Sequence, residues 1–359
     1  MSAHEILIYI MAAFAVLGAV DRILGNRLGL GKEFEDGILA MGSLAMAMLG
    51  IIALAPVLAS LLRPVVVPVY AFLGADAAMF AGTILACDMG GASLARELTT
   101  DPQAAALGGV IAGSMLGATI VFTIPVAMGI LRPEDQPAMA KGILAGIVTI
   151  PVGILAGGLT AGFSIIMILR NLIPIVVIAA LIALGLWKAE KWMIKGFGVF
   201  GKLIIAIITI GLAAAIVESL TGLTLIPGMA PIEDGFLTVG AIAIVLAGAF
   251  PLVFLVTKLL RRPLMKLGRL LGINEVAAGG LVASLANSIA TFGMVKDMDN
   301  RGKVVNIAFA VSAAFVFGDH LGFTAGFAPE MLPAVIVGKL AGGVSAVVVA
   351  LWLTKKEKA

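Results

Sequence analysis

Leu85-Ala86-Cys87-Asp88-Met89-Gly90-Gly91 places one carboxylate in a run of small and apolar residues, Ala77 to Leu94, that otherwise carries no charge. In lipid an Asp at mid-depth costs ~2.5–3.5 kcal/mol on insertion scales, so such residues usually face a cavity and have a task there. The competing reading is a structural Asp that caps a helix broken beside the two glycines. A second stretch, Ala283-Ser284-Leu285-Ala286-Asn287-Ser288, answers the first across a duplicated chain. Glu35-Asp36-Gly37 recurs as Glu233-Asp234-Gly235, Leu73-Gly74 as Leu271-Gly272, and Ala112-Gly113-Ser114 as Ala310-Val311-Ser312, each pair 198 positions apart. Arg63-Pro64 matches Arg262-Pro263 one residue out of step, and Leu85-Ala86 meets Leu285-Ala286 at an offset of 200. Several matches in order at one offset argue a duplicated unit, the layout of secondary transporters whose substrate binds where the copies meet.

Composition points the same way. Of 359 residues, 61% are hydrophobic and only 13% charged, with a mean hydropathy of +1.14. Soluble domains carry roughly 25% charged residues, so the chain is expected to be an all-α integral membrane protein. A net charge of +3 gives no reason to expect nucleic acid, and the single cysteine, Cys87, excludes an internal disulfide and Cys-based metal clusters. Met1–Glu5 lacks the basic start of a cleavable signal, so Ile6–Val20 reads as a first span.

Apolar runs near 20 residues predict nine transmembrane helices, at 6–20, 38–62, 104–131, 142–168, 171–187, 199–219, 235–258, 304–327 and 333–354. Phe72–Leu94 and Gly272–Val295 are apolar but broken by Asp, Asn, Ser and paired glycines, and are expected to be re-entrant hairpins. With both hairpins returning to their own side, the segments 21–37, 132–141, 188–202, 258–269, 296–303 and 355–358 share one face. They hold 20 of the 24 Lys and Arg residues. The positive-inside rule makes that face cytoplasmic, the N-terminus outside and the C-terminus inside, and makes the two repeats inverted. Repeat 1 spans about 33–168 and repeat 2 about 231–354, with linking helices over 171–219, in one polytopic domain. Arg63–Leu73 and the basic Lys258–Arg269 are expected as interfacial helices, the second lying on an anionic leaflet.

Asp88 and Asn287 fall near the two hairpin turns, where free backbone groups are tolerated only if they line a cavity. Asp88 from one copy and Asn287-Ser288 from the other, with Cys87 beside them, suit a small molecule with one cationic and one hydroxyl end. Ordinary interhelical hydrogen bonding is the alternative for Asn287 and Ser288. In Gly318-Asp319-His320-Leu321-Gly322, Asp319 beside His320 suits a proton relay or gate, or else a structural pair at a kink. Lys339 reads as a side chain that snorkels to the outer surface. No metal site or cofactor is expected, since the only other histidine is His4. No Walker A loop, HExxH, GxSxG or dinucleotide fingerprint is present. A membrane enzyme would need a nucleophile–base pair or a metal, so no enzyme is expected.

Leu24–Glu35 with Gly37, Ala86-Cys87-Asp88-Met89-Gly90-Gly91, and Phe317-Gly318-Asp319-His320-Leu321-Gly322-Phe323 together resemble the ethanolamine-utilisation membrane protein family (EutH). The resemblance runs over nearly the whole chain. It implies a bacterial inner-membrane protein that admits ethanolamine for catabolism. The order of span, interfacial helix, hairpin and two spans in inverted copies is also similar to the concentrative nucleoside transporters. That layout implies an elevator, an oligomer to anchor its scaffold, and a nucleoside or other polar solute as the alternative cargo.

Overall fold

The computed structural model describes residues 2–355, and those residues are helical with no strand among them. The chain runs through α1 (Ala3–Ile23), α2 (Leu30–Phe72), α3 (Ala78–Ile84) and α4 (Gly91–Leu98). It continues through α5 (Pro102–Ile130), α6 (Pro133–Thr160), α7 (Ile165–Thr221) and α8 (Ile232–Leu271). Four shorter helices follow, α9 (Glu275–Ala286), α10 (Ser288–Met294), α11 (Asn300–Ala313) and α12 (Asp319–Phe327), before α13 (Pro329–Leu353). Seven of these, α1, α2, α5, α6, α7, α8 and α13, are long and apolar enough to cross a membrane. The chain is a multi-pass membrane protein.

Helix boundaries depart from the hydropathy runs in three places. The runs at 171–187 and 199–219 belong to one 57-residue helical stretch, α7, interrupted by non-helical dihedrals at Ala189. Unbroken, it would be ~85 Å long, nearly three times the ~30 Å hydrocarbon core. The axis turns at Ala189, where Met193 packs its thioether against Gly185. Arg63–Leu73 is not a separate element, because α2 continues through Pro64 and Pro68 to Phe72. Likewise Lys258–Arg269 prolongs α8. The side chains of Leu260, Arg261, Arg262, Leu264, Leu267 and Arg269, and the tail Lys356-Glu357-Lys358, lie outside the described residues.

The third departure matters most. The run 304–327 is not a single helix: α11 ends at Ala313 and α12 begins at Asp319. In between, Phe315 holds φ +63°, a conformation that bulky residues rarely adopt. The last-turn carbonyls of α9 have no partner within their own helix, and the unwound segment supplies one. Phe315 N–H donates to Ser284 O at 3.1 Å and Phe317 N–H to Leu285 O at 2.9 Å. The two breaks thereby pair their backbone groups with each other, as an apolar surrounding requires.

Small residues set the helix crossings, as expected where helices must approach closely without a hydrophobic drive. A Cβ on Gly50 of α2 would strike Ile208 O and the Leu212 backbone of α7. Gly37 of α2 meets the backbone of Leu246 and Ala247 on α8, and α2 and α8 pack along much of their length. Carbonyls of α3 and of the break after it fit against Gly108 and Gly117 of α5. There α5 is wound as a wide π-helix over Ala106–Gly117 and Thr119–Thr123, a form usually confined to single turns at functional sites.

One capping scheme appears twice at the 198-residue offset. Asp76 accepts from Ala78 N–H ahead of α3, and Asn274 accepts from Ala277 N–H ahead of α9. Further on, Asp101 caps the start of α5 and Asp299 the start of α11.

Candidate functional site

Between α3 and α4 the backbone is extended at Leu85 and Ala86, makes one tight turn over Cys87–Met89, and leaves it through Gly90 at φ +91°. A side chain at Gly90 would also run into Ile51 of α2. This turn aims Asp88 into a cavity of about 460 Å³. Asp319 and His320, at the start of α12, enter the same cavity after the second unwound segment. These three are the titratable groups of its lining; the rest is largely apolar, with Phe122 and Phe315 meeting edge to face at 5.4 Å. Ser43 of α2 and Ile205 of α7 complete the wall.

Behind the lining lies a polar chain. Asp88 Oδ1 is 3.8 Å from His320 Nε2, at the outer limit of an ion pair. His320 Nδ1 is 3.0 Å from Lys339 Nζ, which also donates to Ser114 O of α5 at 2.6 Å. Phe315 tilts over the imidazole with ring centroids 5.3 Å apart. His320 and Lys339 are 3% and 1% exposed, so neither reaches bulk solvent directly. Polar atoms of Cys87, Asp88 and His320 come within 4.8 Å of one another.

The sequence-predicted residues divide. The structure brings Asp88, Asp319 and His320 together around one cavity and places Cys87, fully buried, just behind Asp88. Asn287 and Ser288 lie elsewhere. Asn287 Oδ1 accepts from Ile289 N–H at 2.7 Å and so caps α10, while the Ser288 hydroxyl is buried without a hydrogen-bond partner. Neither lines the cavity. Lys339 corrects the sequence reading: it points inward to His320 instead of snorkelling outward. Its signal in the sequence was a lone cation between Gly338 and Gly342, where close packing leaves no path to a headgroup.

A second cavity, about 400 Å³, lies at the other end of α4 and α12. Arg96 of α4 stacks 3.7 Å over the Phe327 ring of α12 and donates to Phe327 O at 3.2 Å. The eight residues of α4, ~12 Å of helix, separate the two cavities.

The profile of the family described as "Ethanolamine utilisation protein, EutH" matches residues 3–353. The chain belongs to the EutH family. It is 61% identical to a protein of Listeria monocytogenes serotype 1/2a named "Probable ethanolamine permease EutH", over all of this chain and 97% of that relative. It is 53% identical to the uncharacterized protein YxeR of Bacillus subtilis, with the same coverage. A Salmonella typhimurium relative, also named "Probable ethanolamine permease EutH", is 50% identical over 397 aligned positions, covering all of this chain and 97% of its own. That alignment exceeds the 359 residues here, so the Salmonella EutH protein carries insertions. No solved structure matches the chain.

Proposed function

We propose that this EutH protein is a transporter in the bacterial inner membrane that imports ethanolamine in its ammonium form. The observation that carries the reading is the cavity itself. Two carboxylates, Asp88 and Asp319, face a largely apolar space at the junction of two helix breaks. A carboxylate in such a space gains most from a cation that completes its hydrogen bonds. The Phe122 and Phe315 rings line the same space. The names of the relatives supply the solute, and a primary ammonium with a hydroxyl one bond beyond its carbon chain's start fits a wall of carboxylate, imidazole and Ser43.

The layout supports an elevator built on two inverted repeats, about 33–168 and 231–354, with α3–α4 and α9–α10 as re-entrant hairpins. The recurrent caps at Asp76 and Asn274 suit one unit used twice, and the tightly packed α2 and α8 suit the fixed scaffold, anchored in an oligomer. The wall residues Ser43, Pro125 and Ile205 precede or follow the basic segments closely along the chain. The cavity therefore opens toward the cytoplasm, with the Arg96–Phe327 contact closing the outer side. Trp187 and Trp192, both exposed beside Lys188 and Lys191, suit the inner interface.

The test is uptake of labelled ethanolamine into proteoliposomes at about pH 6, where a primary amine is almost wholly protonated, against protein-free vesicles. Saturable uptake that unlabelled ethanolamine blocks and nucleosides do not is expected. Competition by nucleosides would overturn the assignment of the solute, and an uptake equal to that of empty vesicles would overturn transport.

A further inference from the structure

One group is left without a task by this reading, and it is the least expected in the bundle. Lys339 is buried, yet its ammonium rests on two neutral acceptors, Ser114 O and His320 Nδ1, and among the described residues it forms no ion pair. Intramembrane cations of this kind commonly mark ion or proton pathways. The groups that face it are few. Cys87 and Asp88 come from the α3–α4 break, and His320 with Asp319 from α12. From α5 it meets the Ser114 carbonyl, while α6 and α11 approach α13 with Gly153, Gly157 and Ser312.

Donor logic fixes the imidazole. An ammonium only donates, so Nδ1 is the unprotonated nitrogen and the ring proton sits on Nε2, the edge turned toward Asp88. In that tautomer His320 points a donor at the place where a substrate ammonium, itself only a donor, would meet Asp88. The two are incompatible unless the ring changes tautomer. Lys339 is placed to make it do so.

We propose that Lys339 is a tethered counterpart of the substrate cation, charged in the empty site and neutral in the loaded one, so that each cation bound expels one proton. This rests on the ethanolamine reading above. When the substrate ammonium reaches Asp88, the Nζ–H bond of Lys339 toward His320 breaks and an Nδ1–H bond forms. The Nε2–H bond breaks in turn, and its proton leaves through the cavity to water. Lys339 is then an amine that accepts from Nδ1–H and still donates to Ser114 O. Nε2 becomes an acceptor for the substrate ammonium. The site holds the same number of positive charges before and after, and release of the cation on the other side takes a proton back. Transport is thereby an exchange of one organic cation for one proton.

The experiment is titration calorimetry of ethanolamine hydrochloride into the purified protein near pH 7, in phosphate and in Tris, whose protonation enthalpies differ. The wild type is expected to release close to one proton per ethanolamine, with affinity rising about tenfold per pH unit. Lys339→Met should bind without net proton release and without that pH dependence. Lys339→Arg, whose charge is permanent, should bind at least 100-fold more weakly. Binding by the wild type with no proton release overturns the proposal whatever the variants do, as does a Lys339→Met protein that still expels a proton. Failure of folded wild type to bind ethanolamine would overturn the ethanolamine reading and this one with it.

Discussion

The break between α3 and α4 presents Asp88 to the cavity, whereas the break between α9 and α10 turns Asn287 back onto Ile289 N–H of its own helix. The long partner helices differ in the opposite sense. In the first half α5 stays helical throughout, and its Val121-Phe122 line the cavity as apolar wall. In the second half the matching positions, 198 residues on, are Asp319-His320, and the helix is broken just before them. Positions 121–122 and 319–320 thus line one wall. Its polar groups come from the break between the short helices α3 and α4 and from the break before α12.

The same kind of substitution at each of the two breaks separates their roles. Asp88→Asn should lower saturable ethanolamine uptake at least 100-fold, about 2.7 kcal/mol. Asn287→Ala should leave uptake within about threefold and cost about 1 kcal/mol of stability, the loss of one N-cap. Equal losses of uptake from folded protein would mean that both breaks touch the cation, and the asymmetry would fall.

A second comparison concerns how closely the breaks dock. A methyl group on Gly318 would press on Ala286 O, and one on Gly117 on Leu85 O, whereas one on Gly42 meets open space. Gly318→Ala and Gly117→Ala should each lower the unfolding free energy by about 2 kcal/mol, with Gly42→Ala nearly neutral in thermal unfolding. Tolerance of all three alike would mean that the breaks are not held by backbone contact.

These features were unevenly legible in the sequence. The α3–α4 and α9–α10 breaks showed, because Asp88, Asn287 and paired glycines interrupt otherwise apolar runs. The break at 314–318 did not, because Ala314-Phe315-Val316-Phe317 is as apolar as any span. Its hydrogen-bond partners, the carbonyls of Ser284 and Leu285, lie far back in the chain, and no local pattern records a tertiary hydrogen bond. Asn287 was ambiguous for a related reason. Asn next to a helix start is as apt for a cap as for a ligand, and the structure shows it taking Ile289 N–H as a cap. Lys339 was visible as a charge but not as a site, since depth in a span does not say which way a side chain turns.

At the far end of the same helices, Arg96 joins α4 to α12 by stacking on Phe327 and bonding its carbonyl. Arg96→Lys keeps the charge but loses the flat contact. A double-mutant cycle of Arg96→Lys with Phe327→Leu should show a coupling of about 1 kcal/mol in stability. Additive effects would separate the two helices and remove the contact as a closure.

The smallest expected difference tests the duplicated caps. Asp101 bonds only its own helix start, Gln103 and Ala104 N–H. Asp299 does more, because Oδ2 takes Gly302 N–H at 3.1 Å while Oδ1 takes Asn274 N–H at 2.8 Å, tying α11 to the start of α9. In the first copy that tie has moved to another pair, Thr99 Oγ1 donating to Asp76 Oδ2 at 2.8 Å. One cap therefore carries one local role and the other carries two. Asp101→Ala should cost about 1 kcal/mol and Asp299→Ala about 2 kcal/mol, since it also orphans a backbone donor. The two melting temperatures should then differ by about 2 °C. Thr99→Val should close that gap when combined with Asp101→Ala, because it removes the Thr99–Asp76 tie as Asp299→Ala removes the Asp299–Asn274 tie. If the combination costs no more than Asp101→Ala by itself, the two copies do not share one cross-link, and their likeness is limited to the helix starts.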